Sequence, residues 1–122
     1  MNVSIICKQC VKNNAFDELA EIMPSVISAV LEMPGGNLAI LKPEQVSLEF
    51  RLASERDIGS DIRILVFARS NNPRLSTENE LAASILEKVV ELTSISGENY
   101  SVDIRLYLTE IGAAAHSPVP VR

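Results

Sequence analysis

The sequence predicts an α/β (α+β) domain made of one β-α-β unit used twice, giving a four-stranded mixed sheet with two helices on one face. Three observations lead there. Ser47-Leu48-Glu49-Phe50-Arg51-Leu52 and Ser101-Val102-Asp103-Ile104-Arg105-Leu106 match in kind at every position. Each alternates polar and apolar residues with period two, the mark of a strand buried on one face. Val3-Ser4-Ile5-Ile6-Cys7 and Ile62-Arg63-Ile64-Leu65-Val66-Phe67-Ala68-Arg69 are apolar on both faces, as inner strands covered above and below are. The helices repeat too, since Glu18-Leu19-Ala20 is answered by Glu80-Leu81-Ala82 just after each expected helix start.

Taken in order, the first strand runs into Lys12-Asn13-Asn14, where either asparagine can cap a helix. Phe16, Leu19, Met23, Val26 and Val30 recur at helical spacing, with Ile22 and Ile27 widening the stripe. Asp17, Glu18 and Glu21 lie near its positive end. Pro24 removes a hydrogen bond and crowds the preceding turn, so a kinked helix or two short ones is expected, ending at Met33-Pro34-Gly35-Gly36. Lys42-Pro43 opens a second strand at about residues 45–52, and residues 54–60 form a polar connection. After the third strand, residues 70–75 read as a loop around Asn71-Asn72-Pro73. Thr77 and Glu80 form a capping box ahead of a helix that buries Leu81, Ile85, Val89 and Leu92 and leaves Glu87, Lys88 and Glu91 wet. Gly97 ends that region, and beyond Ile111-Gly112 the chain loosens. The expected organisation is one domain over residues 1–117, pseudo-repeats at about 1–56 and 60–112, and a flexible tail over 118–122.

A chain of 122 residues supports one proper core, and a hydrophobic share of 47% makes it globular. A net charge of −5 disfavours nucleic acid, whose phosphates an acidic surface repels. With no Trp, three Phe and two Tyr there is no base-stacking platform either. No apolar run reaches the roughly 20 residues that cross a membrane, and the start lacks a secretion signal, so a cytoplasmic location is expected. Cys7 and Cys10 form a lone C-x-x-C with His116 as the only histidine, short of a zinc set. The pair ends a strand, several residues before a helix start, and in extended chain its members face opposite sides. Two semi-buried cysteines are expected, with no metal and no cofactor.

With both helices on one face, the other face stays open, and it is not polar throughout. Cys7 or Ile6 from one inner strand, and Leu65 and Phe67 or their neighbours from the other, lie there. An apolar strip in mid-sheet marks an interface. At this point the chain resembles the tautomerase superfamily, which includes 4-oxalocrotonate tautomerase, 5-carboxymethyl-2-hydroxymuconate isomerase and macrophage migration inhibitory factor. The likeness covers residues 2–117 and lies in element order, chain length, a strand at the extreme N-terminus and Lys42-Pro43-Glu44-Gln45-Val46. The lysine-proline pair is similar to the migration-inhibitory-factor branch, whereas Asn72-Pro73-Arg74-Leu75-Ser76 and the overall spacing are nearer the muconate isomerase branch.

The resemblance implies a homotrimer with the open sheet faces packed around a threefold axis. It also implies keto-enol or double-bond isomerisation of a small carboxylated substrate by an N-terminal proline whose secondary amine, kept neutral by burial beside cationic groups, shuttles a proton. The position here is Asn2. Methionine is trimmed only before small residues, so Met1 is expected to stay, and the activity to be weak or altered. Lys42 matches the family lysine that holds a substrate carboxylate, against a solvated loop lysine as the plain alternative. Phe67 matches an apolar pocket wall or simply packs in the core, and Arg74 supports an anion or sits on the surface. Arg51 and Arg105, with Glu49 and Asp103 on the same faces, form ion-pair ladders. His116 falls in the segment that, in the family, covers a neighbour's pocket; alone it reads as a surface histidine. The alternative from another class is a ferredoxin-like or non-catalytic module that binds a small ligand or regulates. It shares the same string of elements.

Overall fold

A computed structural model of the chain describes residues 1–32, 43–95, 99–112, 114–116 and 118. The elements are β1 (Asn2–Cys7), α1 (Asn13–Leu31), a 3₁₀ turn (Pro43–Gln45), β2 (Ser47–Leu52), β3 (Ile62–Arg69), α2 (Asn72–Ser76), α3 (Glu78–Ile95) and β4 (Val102–Thr109). The four strands form one sheet in the order β2-β1-β3-β4. β1 is parallel to β2 and antiparallel to β3, and β3 is parallel to β4. The doubly apolar strands are therefore the inner pair, and the two echo strands are the edges. Each β-α-β unit keeps its own strands adjacent. A ferredoxin-like module splits them with a third strand, so the strand order overturns that alternative.

Alternation in the strands decides which side meets the helices. Val3, Ile5 and Cys7 of β1 and Ile62, Ile64, Val66 and Ala68 of β3 are almost wholly inaccessible. They pack with Ala15, Leu19, Met23, Ile27 and Leu31 of α1 and Ile85 and Val89 of α3. Leu48, Phe50, Ile104 and Leu106 close the core from the edge strands, and Phe16 meets Phe50 at a ring separation of 6.0 Å. Burying a side chain of this size contributes roughly 1.5–3 kcal/mol.

Four local expectations are revised. α1 runs unbroken through Pro24: the carbonyl of Ala20 loses its donor, but Ala20 lies on the exposed side, where water serves it. Its buried line is Ala15-Leu19-Met23-Ile27-Leu31, rotated from the predicted stripe, so that Ile22 is exposed. Lys12 rather than an asparagine stands at the N-cap position, without a side-chain capping bond, and the Lys12 amide donates to the Tyr100 hydroxyl at 3.1 Å. Residues 72–76 are a short helix, not a loop, because the Asn71 side chain accepts from the Arg74 amide at 2.8 Å and Pro73 stands at the helix start. The Thr77 hydroxyl turns back to the Pro73 carbonyl at 2.8 Å. The stop signals at Met33-Pro34-Gly35-Gly36 and Gly97 lie outside the described residues. No helix among the described residues is long and apolar enough to cross a membrane.

Candidate functional site

The sheet register sets the geometry of the helix-free face. Ser47, Asn2, Phe67 and Tyr107 form one row across all four strands, followed by Glu49, Ser4, Leu65 and Arg105, then by Arg51, Ile6, Arg63 and Asp103. The open question about that face is thereby answered: Ile6, not Cys7, lies there with Leu65 and Phe67. Phe67 and Tyr107 stack at 5.0 Å with an angle of 11° between their rings. They are 37% and 46% exposed, so an aromatic pair stands in water on the single chain.

An open depression of about 480 Å³ lies where β1 begins, lined by Asn2, Ser4, Ser47, Glu49 and Phe67, with Val3 and Leu48 beneath. Its walls come from β2 and β3 because both pair with the first residues of β1. The Ser47 amide donates to the Met1 carbonyl at 2.9 Å, which ties the amino-terminal residue to the same rim. Among the described residues that line the depression, only Glu49 carries an ionisable side chain. That carboxylate is held by Arg51 two residues along the same strand. Asn2 offers a carboxamide, which donates and accepts hydrogen bonds but does not take up a proton. The site can orient a polar ligand against an aromatic wall.

Of the three predicted binding residues, two are described, and they do not meet. Phe67 lines the depression. Lys42 lies outside the described residues, next to the turn that begins at Pro43. Arg74 is not a surface arginine: it is 7% exposed and does not line the depression. Its Nε and Nη2 donate to the Leu31 carbonyl at 3.3 and 3.1 Å, and its Nη1 to the Arg69 carbonyl at 2.8 Å. Loss of hydration pulls its pKa down from the usual arginine value. It joins the end of α1 to the end of β3, two residues beyond Phe67. Ser47 and Glu49 were missed as lining residues because only the adjacency of β1 and β2 brings them beside Asn2. His116 is exposed.

Cys7 is fully buried and Cys10 exposed, both free. The pair is not alike, as the two-semi-buried expectation had it, because a reverse of direction after β1 takes Cys10 out to Asp61. Its thiol donates to the Asp61 carboxylate at 3.4 Å, while the Ser101 amide donates to the other carboxylate oxygen at 3.1 Å. That amide is the main reason the Asp61 carboxyl lies below its ordinary value. Among the described residues no group of three His, Cys, Asp or Glu side chains is placed to hold a metal. Burial, followed by the neighbouring Cys10, pushes the Cys7 thiol from 9.0 up to about 11. The unfolded chain therefore releases this proton near pH 9 while the folded chain keeps it, and stability falls as pH rises from 9.0 towards 11. Urea melts across that range should show a shallower alkaline loss in Cys7→Ala than in the parent; equal slopes would remove Cys7 as the cause.

No protein-family model matches the chain, and no curated protein matches it. Solved structures do. Pt0534 inactivated by 2-oxo-3-pentynoate superposes with a TM-score of 0.66 and 15% identity, covering 93% of this chain and 92% of that one. The wild-type asymmetric trimer of fused 4-OT gives 0.66 at 10% identity over 96% and 95%. FG41 malonate semialdehyde decarboxylase inhibited by 3-bromopropiolate gives 0.63 at 14% identity over 90% and 84%. The duplicated β-α-β sheet of this chain is the fold of tautomerase-superfamily structures.

Proposed function

We propose that the chain is a homotrimeric tautomerase-fold protein that takes a small carboxylate at the start of β1. There it acts at most as a weak or altered keto-enol or double-bond isomerase. The observation that carries this is the depression beside Asn2, open at the position where the fold's enzymes would present a catalytic amine. In this reading Phe67 supplies the apolar wall and Lys42 the carboxylate contact. Arg74 enters only by holding the strand end that carries Phe67. The carboxamide of Asn2 replaces a base, and Glu49 is a poor substitute while Arg51 holds it. The same features support a second reading, a non-catalytic binding module, with the ligand chemistry unchanged. Residues 1–117 act as one unit in either case. A cytoplasmic setting goes with both, because it keeps unpaired thiols such as Cys7 and Cys10 reduced.

The trimer is supported by the apolar strip on the helix-free face, where Ile6, Leu65, Phe67 and Tyr107 await cover. It is also supported by the trimers of fused 4-OT among the structures with this fold. Light scattering at micromolar concentration should give three times the 13.3 kDa chain mass. A stable monomer would remove the assembly. Phenylenolpyruvate should ketonise little faster than in buffer. Turnover at ordinary enzyme rates, about 1–1000 per second, would show a base that this reading lacks.

A further inference from the structure

β2 and β4 are the outer strands of the sheet, and their outer edges are unpaired among the described residues. Because β1 and β2 are parallel, β1 and β3 antiparallel, and β3 and β4 parallel, the two edges run antiparallel to each other. Each carries the same short code from the internal repeat, an acid and then an arginine two residues on: Glu49 and Arg51 on one, Asp103 and Arg105 on the other. Two such codes laid antiparallel match acid to base. Across the sheet the row that ends in Arg51 on one side ends in Asp103 on the other, and the next row ends in Glu49 and Arg105.

We propose that β2 of one copy of this chain pairs antiparallel with β4 of the next, with Arg51 opposite Asp103 and Glu49 opposite Arg105. Register and charge agree on this alignment alone. A slip of two residues one way sets Arg51 against Arg105, and the other way Glu49 against Asp103; like charges directly opposite are destabilising. A slip of one residue turns the apolar side of one strand to the charged side of the other. On the helix side the same register sets Leu48, Phe50 and Leu52 beside Leu106, Ile104 and Val102 of the next copy. Leu52 is 64% exposed on the single chain although it belongs to the apolar face, and this contact covers it. An open groove of about 350 Å³ runs along β4 past Asp103, Ile104, Arg105 and Leu106 to the start of α3, where the incoming strand would lie.

The single chain already forms Arg51–Glu49 and Arg105–Asp103 pairs within each strand, the latter at 3.3 Å. The joint merges these into one four-charge network, and it unites unlike surfaces, so it propagates head to tail, as the ring of the proposed trimer requires. It rests on the assembly proposed above and specifies the surfaces that make it.

The test is a charge exchange that spares the fold. Glu49→Arg with Arg51→Glu keeps an opposite-charge pair within β2 but faces each neighbouring charge with its like. The dissociation constant of the assembly should rise by roughly a hundredfold or more, with the melting curve of the dissociated chain at its parental value. Adding Asp103→Arg and Arg105→Asp restores the match and should restore assembly. Sedimentation of parent, double and quadruple variants reads all three. Assembly of the double variant at parental strength would overturn the joint and leave the trimer standing, whereas a monomeric parent would overturn both. A quadruple variant that stays dissociated while its chain melts normally would also overturn the joint.

Discussion

Replacing Arg74 with alanine should lower stability by about 3 kcal/mol, the largest loss expected from any single polar side chain among the described residues. Arg74 is 7% exposed, and its guanidinium donates to the carbonyls of Leu31 and Arg69, at the ends of α1 and β3. Truncation removes charge-assisted bonds and leaves two acceptors in a site with little water, each costing roughly 1–3 kcal/mol when unmade. Part of this is returned, since a guanidinium so poorly hydrated is itself under desolvation cost. At roughly 4 °C per kcal/mol for a chain of this size, the melting temperature should drop by about 12 °C. Arg74→Lys should recover less than half, because a single ammonium cannot span two carbonyls as the planar fork does. A melting temperature within about 2 °C of the parent in the alanine variant would mean that these bonds exchange freely with water. The Phe67 end of β3 would then have to be held by something else.

Most of the sheet was legible because its code is local. Val3 to Cys7 and Ile62 to Arg69 lack a polar side, and a strand without one belongs inside a sheet; both are inner strands. The echo strands have one polar side each, and they are the edges. Local reading failed where the deciding contact comes from elsewhere in the chain. Asn71-Asn72-Pro73 carries turn chemistry and helix-start chemistry in equal measure; the Asn71 cap on the Arg74 amide starts the helix, and the Arg74 side chain, reaching across to Leu31, fixes it against the end of α1. Arg74 itself resembles a surface arginine in sequence, since carbonyl partners 43 and 5 residues away leave no local trace. Leu52 has the parity of a core residue, yet β2 is an edge and its last position overhangs the core. The depression was legible through Asn2 and Phe67. Its Ser47 and Glu49 wall depends on which edge strand flanks β1, and periodicity tells inner strands from edges without saying which edge lies beside which inner strand.

Asn2→Pro, made in a chain that starts at Met1, should create an activity rather than remove one. Proline is small enough to permit removal of Met1, and what remains is a secondary amine at the first residue of β1, on the rim of the depression beside Ser47 and Phe67. The change is not free of cost. The bond from the Ser47 amide to the Met1 carbonyl disappears with Met1, a loss of about 1 kcal/mol, and the half-buried methionine side chain leaves the margin of the core. Neither should unfold a sheet whose inner strands are buried on the helix side. A free α-amine titrates near 7.7 to 8.0, so modest desolvation makes it mostly neutral at pH 7 and able to take a proton. General-base catalysis contributes typically about a hundred- to ten-thousand-fold, and ketonisation of phenylenolpyruvate should accelerate by that order over the parent. Lys42→Ala added to Asn2→Pro should raise KM more than it lowers kcat, as expected for a residue that holds the substrate carboxylate equally in ground and transition states. Intact mass decides the interpretation: a processed, folded Asn2→Pro chain with no gain in rate would mean that the depression does not present substrate to the start of β1, and the proposed site would be in the wrong place.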